Sequence, residues 1–139
     1  MVPEPSMDGE STPQEDRSPP GTQLSAISNA VVRVFKEQFG RGPTKVRSHF
    51  AGPDTLICVL EDSFTPAERM LAELGEHQRL RDVRMFFQDA AEDQFREIVE
   101  GVLERPVRSF MSAIDTHTDT AVEVFMLGDG ELELDEIDQ

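Results

Sequence analysis

The chain has a single cysteine, Cys58, which excludes an internal disulfide framework and any multi-cysteine metal site. Basic residues are scarce: 13 Lys and Arg stand against 28 Asp and Glu in 139 residues, a formal charge of −15. Ten of those fifteen excess charges lie at the two ends, residues 1–22 and 128–139, so the middle carries only −5. A concentrated basic face is therefore lacking, which disfavours nucleic acid as a partner and disfavours anionic membrane surfaces. No apolar run approaches the ~18–20 residues needed to cross a bilayer. Met1-Val2-Pro3-Glu4-Pro5 lacks the basic and apolar regions of a signal peptide. The expectation is a cytoplasmic protein without direct membrane insertion.

Residues 1–22 hold five prolines and almost nothing apolar, the composition of a disordered segment. From Leu24 the pattern changes. Leu24, Ile27, Val31, Val34, Phe35 and Phe39 recur at helical spacing, and Gly40 with Gly42-Pro43 ends that helix. Lys45 to Ala51 alternates, with Val46, Ser48 and Phe50 on one face and Lys45, Arg47 and His49 on the other. Leu56 to Leu60 is apolar on both faces, so this strand should be central in the sheet. Thr65-Pro66-Ala67-Glu68 carries the signals of a helix start: Thr at the N-cap, Pro at N1 and Glu at N3. A short helix to about Leu74 is followed by a longer one with Leu80, Val83, Phe87, Ala91, Gln94 or Phe95, Ile98 and Val102 as its stripe, stopped by Pro106. Two strands, 107–114 and 120–127, complete the order α-β-β-α-α-β-β. This is an α+β domain, an antiparallel four-stranded sheet with helices packed on it, over residues 23–127, followed by an acidic C-terminal tail, 128–139. Ile57, Val59, Phe87, Ile98 and Val124 are the expected core.

No catalytic constellation emerges. Cys58 lies in the most apolar run, where a thiol stays protonated. His49, His77 and His117 fall in three elements without ligand spacing, so no metal site is called. His117 stands out because Asp115-Thr116-His117-Thr118-Asp119 surrounds it, a stretch that reads as a polar hairpin turn. Gly40-Arg41-Gly42-Pro43 is too short for a phosphate loop. It places Arg41 and Lys45 beside a turn that is either an anion seat or a helix end leading into a strand. Arg79, Arg81 and Arg84 sit near a helix N-terminus, where the dipole disfavours cations. Either local acids such as Glu76 and Asp82 pair with them, or an external anion does.

Three segments in order, Gly40-Arg41-Gly42-Pro43, Thr65-Pro66-Ala67-Glu68 and Val124-Phe125-Met126-Leu127, resemble the MpsC-like family over residues 24–127. The family usually has a leucine where this chain has Phe64. The resemblance implies a subunit of a cation-translocating, membrane-potential-generating system linked to bicarbonate uptake, and it carries over no catalytic residue. The expected function is a non-enzymatic accessory or regulatory module of such a transport system, with membrane transport subunits as partners. The alternative is a stand-alone, self-associating module that binds a small anion or another ligand. Arg41, Lys45 and Arg84 are the candidate ligand or partner residues, because a guanidinium fork suits carboxylate, bicarbonate or phosphate. No cofactor is called for. Exposed sheet edges predict a homodimer.

Overall fold

A computed structural model describes residues 15–16 and 22–129. The expectations for the proline-rich head and the acidic tail lie almost wholly outside those residues. One short piece of the head, Glu15–Asp16, forms a strand, β1. The remaining elements follow as α1 (Gln23–Phe39), β2 (Lys45–Phe50), β3 (Thr55–Glu61), α2 (Pro66–Glu73), α3 (His77–Ala90), α4 (Glu92–Leu103), β4 (Val107–Asp115) and β5 (Thr120–Leu127). The sheet order is β1-β2-β3-β5-β4. The four long strands are antiparallel, and β1 adds a parallel pair at the outer edge of β2. Strand β3 lies inside the sheet, between β2 and β5, as its two-sided apolar pattern requires.

Local signals account for the ends of the elements. Gly40 closes α1 at φ +83°, where its N–H bonds the Lys36 carbonyl. Thr65 and Glu68 form a reciprocal capping box on α2, with Pro66 in the first turn. The expected long helix is two helices, divided at Ala91. Strand β4 is irregular between Val107 and Ser109, a bulge that leaves Arg108 out of register.

The helices pack on one face of the sheet. Ile27, Val31 and Phe35 of α1 meet Leu56, Cys58 and Leu60 of β3, Phe125 of β5, and Phe95 and Val99 of α4. The five expected core residues are corrected here. Ile57, Val59 and Val124 are only half-buried because they point to the opposite face of the sheet. Phe87 and Ile98 flank the true inner stripe, which runs Leu80, Arg84, Gln88, Ala91, Phe95 and Val99. On β5 and α3 the cause is an inward polar residue, Glu123 in one and Arg84 with Gln88 in the other. On β3 both faces are apolar, and Leu56, Cys58 and Leu60 take the inner one. Glu123 is fully buried in the middle of β5, so its neighbours Val122 and Val124 face outward.

Glu123 accepts hydrogen bonds from Gln88 and Ser112. Cys58, its partner across β3, is bonded by Ser48, which in turn shares a hydrogen bond with Ser28. Burial pushes the Glu123 carboxyl up from 4.5 to about 7, against the two hydrogen bonds that lower it. A carboxyl whose folded value is raised binds its proton more tightly in the folded chain. Its contribution is complete below about pH 4.5 and is lost as pH rises through about 7. Glu123→Gln should therefore remove roughly 3 kcal/mol of pH-dependent destabilisation between pH 4.5 and pH 8, measured by urea unfolding across that range. In the apolar core, Phe95→Ala should cost ~3–5 kcal/mol in the same assay, and Ile57→Ala, on the outer face, less than half as much.

Candidate functional site

One end of the sheet gathers most of the polar chemistry. The turn after β3, Asp62-Ser63-Phe64-Thr65, receives three side chains from other elements. Arg84 of α3, fully buried, donates Nε and Nη2 to the two carboxylate oxygens of Glu68 at 2.8 and 2.6 Å. Its Nη2 also bonds the Ser63 carbonyl at 2.9 Å and its Nη1 the Ser63 hydroxyl at 3.2 Å. The Phe39 ring lies 3.9 Å from the guanidinium carbon, and Phe64 and Phe35 stand slightly farther away. Arg41, from the Gly40–Pro43 turn, donates to the carbonyls of Phe64 at 2.6 Å and Asp62 at 2.8 Å. Asp119, from the β4–β5 turn, accepts from the Phe64 N–H at 2.9 Å and the Ser63 hydroxyl at 3.4 Å. Its own carbonyl accepts from the Asp62 N–H at 3.0 Å.

Two residues of this junction hold a left-handed backbone without being glycine: Asp62 at φ +61° and Asp119 at φ +54°. Aspartate tolerates that region better than most side chains, and each is held by a bond to the other's turn. Burial raises the Asp119 carboxyl above its ordinary value, outweighing its bonds from Phe64 and Ser63 and the nearby Arg84 charge.

Beside the junction opens a cleft of about 490 Å³, walled by Asp62, Arg69, Glu73, His77, His117 and Asp119 among others. The His77 and His117 rings stack at 3.8 Å between centroids with a 14° tilt. His77 Nδ1 shares a 2.9 Å hydrogen bond with the buried Thr116 hydroxyl. Asp115 accepts from the His117 and Thr118 N–H groups, which shapes the turn that presents His117. Arg69, half exposed, reaches Asp62 at 3.7 Å. With Arg69, Glu73 and the two stacked imidazoles on its walls, this cleft offers hydrogen-bonding groups of both charge signs to a partner surface. Among the described residues no group of three or more His, Cys, Asp or Glu side chains is arranged as a metal site. Cys58 is buried, its thiol pushed up to about 12.

The three residues singled out from sequence do not form one exposed cluster. Arg41 and Arg84 converge on the same turn from within, and most of their donors bond the turn or Glu68. Lys45 lies on the outer face of β2. The other two arginines of the helix-start cluster pair locally: Arg79 with Glu76 at 3.5 Å and Arg81 with Gln78 at 3.1 Å. Sequence spacing missed the His77–His117 stack because 40 residues separate the two rings. The one available signal was the polar turn around His117.

A family model described as MpsC, Na+-translocating membrane potential-generating system, matches residues 21–129, which cover every element from α1 to β5. The chain belongs to the MpsC family. No curated protein and no solved structure matches the chain. In this MpsC chain the first two resembling segments have a shared structural purpose: Gly40–Pro43 supplies Arg41, and Thr65–Glu68 supplies the carboxylate that holds Arg84. The third segment, Val124–Leu127, contributes Phe125 and Leu127 to the core.

Breaking the buried pair from one side leaves an uncompensated charge. Arg84→Met should cost ~3–5 kcal/mol, whereas Arg84→Met combined with Glu68→Leu should recover most of that loss. Chemical denaturation of the single and double variants measures both.

Proposed function

We propose that this chain is a non-enzymatic accessory or regulatory module of a Na+-translocating, membrane-potential-generating system, acting at the cytoplasmic side by docking on the system's membrane subunits. The observation that carries the reading is the family match across the whole folded unit. Two features support it. Among the described residues no helix is long and apolar enough to cross a membrane. The polar junction is built to hold a shape: Arg84 is bonded to Glu68 and Ser63, and Arg41 to backbone carbonyls, which leaves a rigid cleft rimmed by Arg69, Glu73, His77 and His117. Rigid presentation of a few charged and aromatic groups suits recognition of a protein partner. Arg41, Lys45 and Arg84 keep a role in this reading, the two arginines as the frame of the cleft and Lys45 as an exposed cation on a separate face.

The test is affinity purification of the tagged full chain from its native cells, with and without detergent solubilisation of the membranes. Membrane proteins of an ion-translocating system should co-purify only after solubilisation. Arg69→Glu combined with His117→Ala should lower their recovery at least tenfold without moving the melting midpoint by more than a few degrees. Absence of any membrane protein from the purified material, together with an unchanged membrane potential in cells lacking the chain, would overturn the reading.

A further inference from the structure

All described helices lie on one face of the sheet, and no described element packs on the other. That outer face has a regular layout, fixed by the strand register. Across the four long strands the rows read Lys45–Glu61–Thr120–Asp115, then Arg47–Val59–Val122–Ala113, then His49–Ile57–Val124–Met111. Its centre is aliphatic, formed by Val59, Ile57, Val122 and Val124. Met111 is 52% exposed and Met126, in the next row, 36%. On one side β2, bordered by the two-residue β1, presents Lys45 and Arg47, with Arg47 also 3.4 Å from Glu61. The opposite flank, β4, is apolar and ends in Asp115.

From this layout we infer that the outer face is the seat of a second copy of this chain, stacked face to face about a two-fold axis parallel to the strands. A patch covered by its own copy must be self-complementary, and the charges select between the possible axes. An axis running across the strands would lay one basic β2 flank over the other. An axis along the strands lays β2 of one copy over β4 of its partner, within the same row. Lys45 then faces Asp115 of the partner subunit, Arg47 faces the partner's Ala113, and the four central aliphatic residues close on their counterparts. Two antiparallel sheets packed in this aligned manner bury their facing side chains between layers ~10 Å apart. The inference does not depend on a membrane partner, because the cleft at the end of the sheet lies outside this face.

Ala113, in the middle row of the β4 flank, is exposed, so a substitution there leaves the monomer's packing alone. In the proposed arrangement Ala113→Glu meets the partner's Arg47 and Ala113→Arg meets the same positive charge. Sedimentation equilibrium of the full chain should show a species of twice the 15.6 kDa monomer mass at micromolar concentration. Ala113→Arg should raise the dimer dissociation constant at least tenfold. Ala113→Glu should leave it unchanged or lower it, an advantage that shrinks in high salt. A monomeric wild-type chain at tens of micromolar would overturn the proposal. Equal weakening by both variants indicates like charges facing each other, as an axis across the strands requires, and also overturns it. A dimer that responds to neither variant, as expected for pairing along the β4 edge or for a face occupied by another segment of the chain, does the same.

Discussion

The buried pairing of Arg84 with Glu68 is the constraint on which the rest of this structure depends. A guanidinium with no exposed surface is tolerated only when its donors are matched, and here two carboxylate oxygens, a carbonyl and a hydroxyl match them. Satisfying that charge places α2, which carries Glu68, and the Ser63 turn against α3. The three phenylalanine rings around the guanidinium exclude water from the pair and tie it to α1 through Phe35 and Phe39. Glu68 has a second duty in the capping box of α2, so helix initiation and core electrostatics rest on one carboxylate.

The fold was largely legible in the sequence because its boundaries are set by local chemistry. Gly40, Thr65-Pro66 and Pro106 mark ends that are decided within a few residues, and the four long strands lie within one residue of their expected limits. The facing of the elements was not legible. A strand that is apolar on both sides, such as Leu56–Leu60, leaves its pleat parity open. On β5 the Glu123 carboxylate reads as solvent-facing until Gln88 and Ser112 are brought to it. On α3 the inward residues Arg84 and Gln88 interrupt the apolar stripe, so periodicity selects Val83 and Phe87, one position away. On α3 and β5 the misplaced face follows from a buried polar group whose partner is distant in sequence: 16 residues for Arg84 and Glu68, and 35 for Gln88 and Glu123. The site was legible in part for the same reason. Arg41 and Arg84 stand out in the sequence as candidates for an anion or a nearby acid, but their partners are the carbonyls of the turn after β3 and Glu68. The cleft residues His77 and His117 meet through long-range contacts, the His77–Thr116 hydrogen bond and the Asp119 bonds that fix the β4–β5 turn against the turn after β3.

The two ends of the sheet are secured by similar means and put to different uses. At the end opposite the cleft, Arg105 bonds the Gly128 and Pro53 carbonyls and the Asp54 carboxylate, tying three loops together. A side chain at Gly128 would come within 2.9 Å of the Pro106 ring, so that knot is closed to a new group. At the cleft end, Arg41 and Asp119 do the tying from the inner side, and the outer side is left open with Arg69, His77 and His117 on its rim. Both ends are tied by arginine, but the cleft end alone stacks two imidazoles, His77 and His117, at its rim.

Those two surfaces, the cleft and the outer sheet face, are geometrically linked by the symmetry that the charges favour. A two-fold axis along the strands exchanges left and right edges of the sheet but preserves strand direction. The Asp62–Thr65 ends of both copies then point the same way, and a dimer presents two clefts on one side. An axis across the strands would set the clefts at opposite poles. A module that docks on subunits held in a bilayer plane gains from the first arrangement, because both clefts face one plane together and the second contact becomes intramolecular. The charge distribution across the outer face and the placement of the cleft thus favour the same assembly. Like-charge repulsion between the β2 strands disfavours the axis across them, and under the proposed docking role the axis along them would turn both clefts toward one plane.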